Sequence, residues 1–91
     1  MNMIEGKIYE SIIKTRKQDF ETALSIVEYI LSEKDLKINL IQEFGSRIAK
    51  MQVLIRSRRF YEILNEIEQC DRILNQMDEF EKEEEREKRN F

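Results

Sequence analysis

The chain has no proline, no histidine and no tryptophan, a single cysteine and only two glycines. Each absence excludes something. Without proline, and with so little glycine, nothing in the 91 residues forces the backbone out of a helix. Without histidine there is no imidazole to shuttle protons, to activate a nucleophile or to ligate a metal. Cys70 alone can form neither an internal disulfide nor a structural zinc site. Its neighbours Glu66, Glu68 and Asp71 are acidic, the wrong setting for a reactive thiolate, so its expected role is that of a small buried hydrophobe. No glycine-rich phosphate loop is present, and no Glu-x-x-His pair of the di-iron bundle type. The chain is therefore expected to be non-enzymatic, with no cofactor, no metal and no small-molecule ligand.

Charge of one sign is also missing. Sixteen Lys and Arg stand against nineteen Asp and Glu, a net charge of −3, so no overall field draws in nucleic acid or an anionic membrane. No apolar run approaches the ~18–20 residues of a membrane span. The stretch Met1–Tyr9 carries Glu5 and Lys7 and does not read as a signal peptide. A reducing, cytoplasmic setting is expected.

What the sequence does hold is amphipathic periodicity. The hydrophobic fraction of 41% accompanies a charged fraction of 38%, which reads as helices with wide solvated faces rather than as disorder. Ile4, Ile8, Tyr9, Ile12 and Ile13 recur at helical spacing, followed by Phe20, Ala23, Leu24, Val27, Ile30 and Leu31. The polar stretch Lys14–Asp19 between them contains no breaker, so one helix is expected to run through it to about Leu31, with Asp19 as an N-cap if it does not. Ser32-Glu33-Lys34-Asp35 is a capping-box variant and the expected place for the chain to reverse. A third set, Leu40, Ile41, Phe44, Ile48, Met51 and Ile55, continues through Gly45-Ser46 and predicts an unbroken helix there.

The fourth set is Phe60, Ile63, Leu64, Ile67, Cys70, Leu74 and Met77. Phe60, Ile67 and Leu74 share one heptad position, and Ile63, Cys70 and Met77 share the other, giving a short coiled-coil seam. Its register does not continue that of the third set. Either the helix breaks at Arg56–Arg59, with Ser57 as a cap, or one long helix changes its buried face. Residues 79–91 are polar nearly all round, with favourable Glu84–Lys88 and Glu85–Arg89 pairs. They read as a charged helical tail following a helical domain over 1–78. A domain this small hides only about 60–65% of its surface. The seam is therefore expected to be covered by self-association, most simply in a dimeric bundle or coiled coil.

Two further surfaces stand out. Tyr61 and Phe80 flank the seam rather than sit in it, and aromatic anchors are enriched at binding hot spots. Arg47, Lys50, Arg56, Arg58 and Arg59 lie in a stretch from Phe44 to Tyr61 without one acidic residue. They are candidate phosphate contacts. On a continuous helix they wrap around the rod and form a phosphate stripe only if the helix breaks at Ser57; a solvated face paired with the Glu-rich tail or with Glu62, Glu66 and Glu68 is the plainer reading. Asp19–Leu24 and Arg59–Leu64, each with its helical continuation, resemble the second helix of a tetratricopeptide unit. Gln42–Ile48 resembles the last helix of microtubule-interacting-and-transport domains, which bind short helical peptides. Each resemblance covers a minority of the chain and rests on packing patterns shared by many helices. The expectation is an all-α hairpin or three-helix protein, dimeric, working as a protein–protein interaction module. A dimeric helical nucleic-acid-binding protein is the alternative, and a peptide-binding groove a third.

Overall fold

The computed structural model describes residues 2–89. They form four α-helices with no strand among the described residues: α1 (Met3–Arg16), α2 (Phe20–Ser32), α3 (Leu40–Arg56) and α4 (Ile63–Arg89). Short 3-10 turns at Lys34–Leu36 and Phe60–Glu62 precede α3 and α4.

The segment expected to be one helix up to Leu31 is two. At the end of α1, the Gln18 N–H donates to the Thr15 carbonyl and the Asp19 N–H to the Lys14 carbonyl, with Gln18 at φ 65°. This is a Schellman turn, made here without the usual glycine. Asp19 then caps α2, its Oδ1 accepting from the Thr22 N–H at 3.4 Å. The same device ends α3. Ser57 is its C-cap rather than an N-cap, the Arg58 N–H donates to the Ile55 carbonyl, and the Arg59 N–H donates to the Leu54 carbonyl with Arg58 at φ 63°. The chain is thus two helical hairpins turned by one mechanism.

Between the hairpins, the cap of α3 lies further along than the sequence suggested. Asn39 accepts from the Gln42 N–H at 2.8 Å while Gln42 accepts from the Asn39 N–H at 3.0 Å, a capping box. Glu33, not Ser32 or Asp35, caps the small 3-10 turn. The Gly45-Ser46 pair leaves α3 unbroken, as expected.

Helix α3 is central: α1 and α2 both pack on it and on each other, while α4 leans principally on α3. The buried residues of the first three helices mix small side chains with the larger Ile30 and Leu54. Ala23, Val27 and Ile30 come from α2, and Ser46, Ala49, Val53 and Leu54 from α3. The Ser11 hydroxyl crosses from α1 to donate to the Ala23 carbonyl at 2.9 Å, which is possible only because the backbones approach closely there. Thr15, Ser46 and Ser57 return their hydroxyls to carbonyls one turn back, so every buried hydroxyl is satisfied.

Candidate functional site: an open apolar face

Besides its buried residues, Leu54 among them, α3 carries a second apolar set that is only half-buried or exposed. At about 100° per residue, Phe44, Ile48, Met51 and Ile55 occupy one sector of α3, roughly a quarter-turn from the sector that faces α4. Ile41 is 74% exposed and Ile55 is 52% exposed. On the α1 side, Ile8, Tyr9, Ile12, Phe44 and Ile48 line an open groove of about 420 Å³.

Helix α4 extends the same face. Its contact with α3 is fixed by ion pairs. Glu66, 1% exposed, accepts from Arg47 at 2.8 Å and from Lys50 at 2.9 Å, while Arg72 reaches Glu43. These pairings set α4 antiparallel to α3. The side of α4 turned to α3 carries Ile63, Glu66, Cys70, Ile73 and Met77, all buried or half-buried. Ile67 and Leu74 lie about 70° round the helix, on the flank that continues the Phe44–Met51 side. There Ile67 is 51%, Leu74 47%, Leu64 68% and Phe60 58% exposed. Helix α2 covers the opposite side of α1 and α3. The result is a three-helix layer whose outer surface is apolar and open.

The predicted seam is thereby divided. Ile63, Cys70 and Met77 pack against α3, whereas Phe60, Ile67 and Leu74 face outward. Tyr61 is 97% exposed at the α3–α4 turn, far in the chain from Phe80, which sits with Ile38, Leu40, Ile41 and Met77 around a cleft where α4 passes the start of α3. The five cations separate as well. Arg47 and Lys50 are engaged with Glu66, Arg59 pairs with Glu62, and Arg56 and Arg58 have no ion-pair partner among the described residues.

The polar anchor of α4 explains the titration of its members. Burial alone would push the Glu66 carboxyl up; the hydrogen bonds and charges of Arg47 and Lys50 outweigh it and hold the carboxyl below the ordinary carboxylate range. Burial pushes the Cys70 thiol up, helped by the Glu66 and Glu43 charges, so it stays protonated and unreactive. The anchor holds no vacant coordination geometry: no group of three or more metal-ligating side chains occurs among the described residues. No described helix is long and apolar enough to cross a membrane.

Sequence reasoning missed two parts of this site. Glu66 pairs with the basic stretch as expected, as Glu62 does with Arg59, but the expectation was a solvated surface; its placement one turn from Ile63 and Cys70 puts it on the buried side instead. The third apolar set was read correctly as a helix, but the alternative stripe of small residues, Ser46, Ala49 and Val53, was the signal for which face packs inward. No known family model matches the chain, and neither a curated protein nor a solved structure matches it.

Proposed function

We propose that this chain is a non-enzymatic protein–protein interaction module, a small adaptor, regulator or assembly subunit whose working surface is the open apolar face of α1, α3 and α4. One observation carries the reading. Phe60 in the turn before α4, Leu64, Ile67 and Leu74 on α4, and Ile41 and Ile55 on α3 are each about half or more exposed. Large apolar side chains gathered on one side of a small domain are what a contact surface presents. Large apolar side chains turned outward while Ile30, Leu54 and Ile73 fill the interior fit a contact surface better than a packing defect. The nucleic-acid alternative has less behind it, since two of its five cations are committed to Glu66.

The test is capture of proteins from host extract by the immobilised chain, beside the Ile67→Asp/Leu74→Asp variant. Specific capture that the variant loses, with helicity retained, supports the reading. Capture indifferent to the double substitution overturns it. Steeply salt-dependent capture of nucleic acid that Arg56→Glu/Arg58→Glu abolishes would replace it with the alternative.

A further inference from the structure

Resting on that reading, the groove between α1 and α3 points to the kind of segment that covers part of the face. It is lined by Ile8, Ile12, Phe44 and Ile48, with Gly45 among them. Gly45 lies inside α3, where glycine weakens a helix relative to alanine. Nothing within the chain calls for it. Neither glycine has a positive φ, and a Cβ at Gly45 would meet only the Ile8 Cδ1, at an ordinary 3.6 Å. The missing side chain therefore does not serve the packing of α1 on α3. It leaves bare backbone in the groove, where an incoming helix can approach closely.

The charges at the ends of the groove differ. Two reversals of direction set α3 parallel to α1, so the C-terminal ends of both helices lie at one end of it. Arg16 is one turn beyond Ile12, and Arg56 is two turns beyond Ile48, each on the groove side of its helix. With Lys17 and Arg58 they make four exposed cations at that end, none with an ion-pair partner among the described residues. The carboxylates nearest to them in sequence are engaged elsewhere: Asp19 caps α2 and Glu62 holds Arg59. Glu5, which lines the groove, is at the opposite end. Helix dipoles favour a cation in each last turn, but they do not call for four at the end of an apolar groove. We infer that the groove takes one amphipathic helix of a partner protein, apolar along one side and acidic at the end that meets Arg16, Lys17, Arg56 and Arg58. Its walls run from Glu5 to Ile12 along α1, about 12 Å, which seats two turns of that helix with the acidic turn beyond. The flank of α4 with Leu64, Ile67 and Leu74 is left for the rest of the partner.

The probe is a displayed library of single helices of about four turns, with Leu, Ile or Ala at the apolar positions and Glu, Gln or Lys at the others. Helices selected on the immobilised chain should carry Glu well above Lys at one end. Their binding should weaken about tenfold or more with Gly45→Met, which fills the groove, and with Arg16→Glu/Arg56→Glu, which alters only exposed side chains. Ile67→Asp/Leu74→Asp should leave it unchanged, every variant being matched to the parent in helix content. Selection of Lys over Glu, or binding indifferent to either the Gly45 or the arginine variant, overturns the inference. Selected helices released by Ile67→Asp/Leu74→Asp and not by Gly45→Met lie along α4; the groove is then wrong and the contact-face reading stands. A chain that self-associates in sedimentation, and stops doing so with Gly45→Met, has a second copy in the groove, which also overturns the inference. If the library yields no binder while extract capture still depends on Ile67 and Leu74, the groove alone falls. If that capture is indifferent as well, both fall.

Discussion

The two sides of α3 are built differently. Toward α1 and α2 it buries Ser46, Ala49 and Val53, with an open groove along the α1 edge. Toward α4 the buried Cys70 and Ile73 are joined by one buried carboxylate held by two cations. The first side resembles the interior of any small helical bundle. The second resembles a hinge of polar pairs that fixes the angle of a long helix and leaves half of its apolar surface outside. A buried ion pair adds little net stability over an apolar contact of similar size, but it tolerates few alternative geometries. In this molecule it lies on the side where Ile63, Cys70 and Met77 turn inward, while Ile67 and Leu74 turn outward.

The contrast can be broken by substitution. The largest effect belongs in the packed interior: Leu54→Ala, at a fully buried site one heptad from Arg47, should cost about 3 kcal/mol in denaturant unfolding. Next comes the anchor. Glu66→Gln keeps the shape and removes the charge from Arg47 and Lys50, and should cost about 2 kcal/mol at neutral pH. Because the Glu66 carboxyl is held below its ordinary value of 4.5, its stabilisation is complete above that value and is lost as the pH falls through the lower, folded-state value. Unfolding curves of the two proteins should therefore converge on acidification. A gap that stays constant with pH would mean that the charge contributes nothing.

Helix content was legible in the sequence because the 3–4 spacing of apolar residues needs no other information. The turns were not. Gln18 and Arg58 adopt a left-handed conformation in which glycine is the expected residue, so the strongest stop signal is absent from both. Asn39-x-x-Gln42 could have been read as a capping box, but Ser32 and Asp35 offered a competing one closer to the end of α2. The face of α3 was illegible for another reason. A stripe of Phe, Ile and Met looks like core until the small-residue stripe beside it is seen to allow closer helix approach, and which stripe packs is decided by the neighbouring helices.

Replacing the strained turn residues tests this explanation directly. Gln18→Gly and Arg58→Gly should each raise the unfolding free energy by about 0.5–1 kcal/mol, since relief of the left-handed strain exceeds the added freedom of the unfolded chain. A loss of stability would show that the side chains contribute more than the strain takes away. The smallest effect is expected on the open side. In solutions dilute enough to hold single chains, Ile67→Ala and truncation after Asp78 should each change stability by under about 0.5 kcal/mol, because both alter only exposed parts of α4.

Capture from host extract by the immobilised chain and by its Ile67→Asp/Leu74→Asp variant, both checked for helicity, tests most directly whether the open face is a contact surface. The parent should retain specific partners that the variant, with equal helix content, does not. Capture unchanged by the double substitution would contradict the account.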